Sequence, residues 1–94
     1  MNMIGTVSVT NVNQLLVEFP KPVRKIKLQA NNDNNIGVEI CYFKTGNYKQ
    51  SFNVKGGRSA ISITFPTGIK KLYGNVTSGT DDVNLSYAVE EWGN

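Results

Sequence analysis

The side chains able to do chemistry near neutral pH are few and scattered. The chain has no histidine and one cysteine among its 94 residues. Without an imidazole there is no base poised near pH 7, no Ser-His or Cys-His pair and no imidazole metal ligand. Cys41 alone closes no disulfide within the chain and builds no tetrahedral thiolate cage for zinc. The sequence has no Gly-rich phosphate loop and no nucleophile spaced from a base. These features predict a non-enzymatic protein with no cofactor and no metal.

Three groups of residues remain as binding candidates. The first is basic: Arg24, Lys25, Lys27, Lys70 and Lys71. They offer a contact surface for phosphate or an acidic partner. The simpler reading is preferred, that Lys25, Lys27 and Lys71 face water on half-buried strands and guard an edge against aggregation. A net charge of +3 is mild for a dedicated nucleic-acid binder, so nucleic acid is not an expected partner.

The second group lies in two polar loops, residues 31–35 and 77–82, with Asn32, Asp33, Asn34, Asp81 and Asp82 as candidate contacts. Calcium needs about six to eight oxygen ligands, and these spacings match no calcium loop. Asn, Asp and Gly suit solvated turns. Loops on a rigid scaffold also carry recognition, here by hydrogen bonds to sugar hydroxyls. The third group is aromatic: Tyr42, Phe43, Tyr48, Tyr73 and Trp92. Alternation places Phe43 and Tyr73 outward, as a stacking platform or a subunit interface. Trp92, beyond the last strand, reads as a core lid or an interface residue. Cys41 also falls outward, as a small apolar residue covered by a loop or a neighbouring subunit. Two glycosylation sequons, at Asn75 and Asn84, read as coincidences in a chain without a secretory signal.

The elements that must position these residues are strands. Apolar and polar residues alternate throughout, the period of a strand with one buried face. Eight strands are predicted, at 4–10, 14–19, 23–30, 36–44, 48–55, 59–65, 69–76 and 83–91. Thr45-Gly46-Asn47 and Gly56-Gly57 read as hairpin turns. Alternation assigns a core of Val7, Val9, Leu15, Val17, Phe19, Ile26, Leu28, Ile36, Val38, Ile40, Phe52, Val54, Ile61, Ile63, Phe65, Leu72, Val83, Leu85, Tyr87 and Val89.

An internal repeat organises the strands. Phe19-Pro20-Lys21-Pro22-Val23-Arg24-Lys25-Ile26 matches Phe65-Pro66-Thr67-Gly68-Ile69-Lys70-Lys71-Leu72. Upstream, Leu15, Val17 and Phe19 align with Ile61, Ile63 and Phe65, and Val7 and Val9 with Phe52 and Val54. Downstream, Val38–Tyr42 aligns with Val83–Tyr87. In each copy Phe buries a ring at a strand end and Pro, lacking an N–H, ends the ladder and turns the chain. The expected architecture is one domain over residues 1–94. It is an all-β, eight-stranded antiparallel sandwich, jelly-roll or immunoglobulin-like, from two pseudo-repeats of about 5–44 and 48–91 packed face to face.

Composition agrees with a small folded domain: 39% apolar and 18% charged residues exclude the disordered class. No apolar run approaches the roughly 20 residues of a membrane span, so no membrane partner is expected. The start, Met1-Asn2-Met3-Ile4-Gly5, lacks the basic and apolar regions of a signal peptide. Synthesis and folding in the cytoplasm are expected.

A small β-sandwich with no histidine, one cysteine, many Asn and Thr residues and two Phe-Pro segments resembles the accessory proteins of bacteriophage virions, the head-decoration, head-fibre and tail-associated modules. The resemblance implies a homo-oligomer on the virion surface that attaches to capsid or tail proteins, stabilises the particle or mediates adhesion. The alternatives are a monomeric carbohydrate-binding module that uses its loops, and a nucleic-acid or protein-inhibitory binding protein that uses the basic strand faces.

Overall fold

The computed structural model describes residues 3–31, 37–41, 52–54, 60–77 and 82–93. Every regular element among them is a β-strand: β1 (Ile4–Val9), β2 (Gln14–Asn31), β3 (Val38–Cys41), β4 (Phe52–Val54), β5 (Ala60–Val76) and β6 (Val83–Trp92). They form one antiparallel sheet in the order β1-β6-β2-β5-β3-β4. No helix among the described residues is long and apolar enough to cross a membrane.

Six strands stand where eight were expected, because the Phe-Pro segments do not end their strands. Residues 14–19 and 23–30 belong to one strand, β2, and residues 59–65 and 69–76 to another, β5. Each Phe-Pro segment instead interrupts the ladder. Between the pairs Glu18–Lys71 and Val23–Ile69, four residues of β2, Phe19–Pro22, stand against Lys70 alone. Between Val23–Ile69 and Lys25–Thr64, four residues of β5, Phe65–Gly68, stand against Arg24 alone. Such excess residues bend a strand. Proline tolerates them, since the ladder lacks a partner there for the missing N–H.

The chain runs out and then back alongside itself. β1 pairs with β6, β2 with β5 and β3 with β4. Val38 meets Val54 and Ile40 meets Phe52, a register centred in sequence on residue 46. The expected turn Thr45-Gly46-Asn47 lies outside the described residues. Two further ladders, β6 with β2 and β5 with β3, roll this ribbon up. Gly56-Gly57, expected to close a second hairpin, lies outside the described residues; among these, β4 pairs with β3, and β5 with β2 and β3.

Residues that match in the repeat make matching pairs. Val7–Leu85 and Val9–Val83 correspond to Phe52–Ile40 and Val54–Val38. Val17–Leu72 corresponds to Ile63–Ile26, and Val23 meets its own counterpart Ile69. All these ladders join one half of the chain to the other. The halves interleave, strand by strand, and do not stack as two face-to-face units.

Side chains from both ends of the rolled sheet meet in one core. Val9, Val23, Ile26, Leu28, Val38, Ile40, Phe65, Leu72 and Leu85 are fully buried, and Phe19 nearly so. The molecule is 17 Å across its shortest axis, room for two layers about 10 Å apart. A flat sheet would leave this apolar face in water, so the bends in β2 and β5 close it over itself in a sandwich-like manner.

Alternation identified most of this core. Val23, Ala30, Ile69 and Val76 are buried and were not in the expected set; Val23 and Ile69 adjoin register shifts, whereas Ala30 and Val76 continue the alternation of Leu28 and Leu72. Leu15 was expected inside and is 45% exposed. A register shift between Leu15 and Val17 reverses the pattern, and Leu16 packs against the core instead. Val7, Ile61, Tyr87 and Val89 are partly buried against the core. Ile36 lies outside the described residues, as do the side chains of Phe52 and Val54.

Candidate functional site

The outward side of β1, β6, β2 and the first half of β5 carries rows of short polar side chains with Ile4, Ala60 and Ala88 among them. Each row crosses the strands at one register level. Thr6 stands beside Ser86, Ser86 beside Gln29, and Gln29 beside Ala60. One level along, Ser8 stands beside Asn84 and Asn84 beside Asn31. Hydrogen bonds tie the rows: Thr6 Oγ1 and Ser86 Oγ lie 3.3 Å apart, and Asn31 Nδ2 donates to the same Ser86 Oγ. On the other flank Ser62 Oγ donates to Glu90 Oε1 at 2.6 Å. A groove of about 130 Å³ crosses this side, lined by Ile4, Lys27, Gln29, Ala60, Ser86 and Ala88 among others. Drug-sized ligands occupy about 300–1,000 Å³, so the groove is a surface relief and not an enclosed site.

The two Asn/Asp loops leave from the end of this sheet. Asn31, paired with Asn84, leads into residues 32–36, and Gly37 follows them. Thr77 leads into residues 78–81, and exposed Asp82 follows. Thr77 N and Oγ1 both donate to Gly37 O at 3.0 Å, so the loop stems are joined. The turn after β1 reaches the same end, where Val76 N donates to Thr10 O at 2.7 Å. These neutral hydroxyls, amides and carbonyls suit hydrogen-bonded recognition. Among the described residues no three acidic or cysteine side chains gather to hold a metal ion.

The candidate residues do not form one site. Asp82 is the loop candidate within the described residues; Asn32, Asp33, Asn34 and Asp81 lie outside them. Phe43 lies outside as well, together with Tyr42 and Tyr48. Cys41 ends β3, and its side chain is outside the description. Lys27 and Lys71 are exposed and Lys25 is half-buried. Their neighbours are acidic or neutral. Lys71 stands opposite Glu18, Lys25 opposite Glu91 and Thr64, and Lys27 opposite Ala88 and Ser62. Opposite charges across a ladder attract, so Lys71 and Lys25 each have an acidic residue beside them.

Tyr73 is corrected from an outward platform to a buried residue, with 9% of its surface exposed. It sits on an inner strand, between Leu15 of β2 and Cys41 of β3, and its neighbours cover a ring that alternation alone leaves free. Trp92 is half-buried and meets Phe19 edge-on, with ring centroids 6.5 Å apart. Phe19 also meets Tyr87 edge-on at 6.3 Å. Trp92 is thus a lid on the core, one of its two predicted roles. Sequence reasoning missed the Thr6–Ser86–Asn31 network. Alternation turns Thr6 and Ser86 outward, but their sideways contact needs the β1–β6 and β6–β2 registers, which no local pattern encodes.

The chain matches no protein-family model, no curated protein and no solved structure among those it was compared with.

Proposed function

We propose that this chain is a non-enzymatic structural and adhesive module of the jelly-roll type, of the kind that decorates a bacteriophage particle. One observation carries the reading. When bent β2 and β5 are each counted as two, eight strands result, numbered along the chain. The observed pairings then join strand 1 to 8, 2 to 7, 3 to 6 and 4 to 5, with 8 beside 3 and 7 beside 4. The two layers read 1-8-3-6 and 2-7-4-5, a ribbon rolled into the double-sheet jelly roll. That architecture hosts viral capsid and lectin domains. The step from it to a role is an argument by fold analogy. The polar rows and the joined loop stems provide the surface for attachment.

The test is co-sedimentation with tailed-bacteriophage particles that lack the protein. The protein is expected to travel with the particles at a fixed stoichiometry. Retention at the top of the gradient overturns the particle reading. A second reading, glycan binding through the loop end, is favoured by the neutral hydroxyl and amide rows that run up to the loops. A glycan array decides it: a response lost on Asn31→Ala and Thr77→Ala supports a lectin role, and a flat array removes it.

A further inference from the structure

β1 is one of the two end strands of the sheet. On one side all six of its residues pair with β6. Among the described residues no strand pairs with its other side. An open strand edge is a template for a further strand, and proteins blunt such edges with charge, proline or short length. β4, the other end strand and the counterpart of β1 in the repeat, is blunted. It has Lys49 and Lys55 close by in sequence. The open run of β5, Ala60–Thr64, follows Arg58 and ends at Phe65-Pro66.

β1 has none of these guards. No charged side chain and no proline occurs from Met1 to Val17. Ile4 is 77% exposed although apolar. Two copies of a chain with net charge +3 repel wherever lysines meet. Along β1 they meet no charge at all.

We infer that the open edge of β1 pairs antiparallel with β1 of a second copy of this chain. In such a pair, residues opposite each other share a face of the sheet. A two-fold axis at Thr6 therefore sets Thr6 against Thr6, Gly5 against Val7 and Ile4 against Ser8. Ile4, Thr6 and Ser8 stay outward, as they are in one copy. Val7 of each copy lies beside Gly5 of the other, over which the Tyr87 ring of that same copy lies in place of a side chain, so Val7 meets an aromatic ring. The polar rows then continue across both copies, and exposed Ile4 gains cover from the second β1. One short ladder buries less than the roughly 1,000 Å² of a standing interface, so the dimer depends on concentration. The pairing is isologous and closes at two copies. It does not depend on attachment to a particle.

Sedimentation velocity over a concentration series tests it. The mass is expected to rise from monomer to dimer and stop there. Thr6→Lys places two like charges on the axis and Ser8→Lys places one beside each Ile4. Each is expected to weaken the dimer by roughly tenfold or more; the melting temperature of the monomer is expected to be little changed in Ser8→Lys and somewhat lowered in Thr6→Lys, which gives up the contact with Ser86. Two substitutions guard against either one disturbing the fold. Lys27→Glu, two strands away from β1, is expected to dimerise as the unmodified chain does. A monomer at every concentration, a larger ring, or a dimer that survives both lysines overturns the proposal. The two readings fail separately: sedimentation velocity of the chain alone reads self-pairing with no particle present, and co-sedimentation of the unmodified chain reads attachment.

Discussion

At the scale of single residues, the two Phe-Pro corners show how a near-repeat accommodates its own symmetry. Pro22 and Gly68 are counterparts in the repeat, and the fold brings them together. A Cβ added at Gly68 would lie 2.5 Å from Pro22 Cβ, so one of the two positions has to lack a side chain. Gly68 is exposed, and surface substitutions usually change stability by under about 0.5 kcal/mol. Gly68→Ala is nevertheless expected to cost about 1–3 kcal/mol, as overpacking does, because the proline ring is rigid and cannot swing away. Urea unfolding of Gly68→Ala, Pro22→Gly and the double variant checks this. The double variant should recover most of the loss; equal loss with and without Pro22 would trace the cost to the backbone of Gly68. The sequence makes the shared Phe-Pro pattern legible. It does not make legible why one copy reads Lys-Pro and the other Thr-Gly, since that follows from a contact between residues 46 positions apart.

At the scale of elements, period-two alternation finds strands well and fails where a ladder skips. The shift between Leu15 and Val17 exchanges the roles of two adjacent leucines. Leu16→Ala removes a side chain packed against the core and is expected to cost about 2 kcal/mol. Leu15→Ala, at an exposed position, is expected to cost under about 1 kcal/mol. The reverse order in a thermal or urea melt would place the shift elsewhere. Val23 and Ile69 lie at a related irregularity: each keeps the phase of the Phe before it, and the burial pattern changes phase just after it, at Ile26 and Leu72. The candidate surface was legible in its residue types and not in its assembly. Outward Thr6, Ser86 and Asn31 come from three strands, and their hydrogen bonds hold β1 to β6 and β6 to β2. Ser86→Ala leaves Thr6 and Asn31 to water at an exposed site, so the expected loss is about 0.5–1.5 kcal/mol. Amide hydrogen exchange should localise it, with β1 exchanging faster and β5 unchanged.

At the scale of the whole molecule, the repeat carries a consequence for folding. A chain made of two similar halves suggests two units that fold and then dock. The ladders exclude that order of events. β1, β2 and β3 belong to the first half and β4, β5 and β6 to the second. Every observed ladder pairs a strand of one half with a strand of the other. Neither half has a backbone ladder of its own among the described residues, and each exposes its share of the core when alone. A fragment of residues 1–46 and one of residues 47–94 are therefore each expected to be unfolded, with the far-ultraviolet circular dichroism of a coil. Mixed, they are expected to regain β-structure, because the cut between residues 46 and 47 removes none of the observed ladders. Their association replaces a loop closure whose entropic cost grows only slowly with loop length, so the mixture should be weaker than the intact chain and dependent on concentration. The intact chain should unfold in one cooperative step, with fluorescence of Trp92 and backbone dichroism changing together. An autonomous β-signal from either fragment would mean that the two halves fold as separate units, and the interleaved pairing would then be wrong.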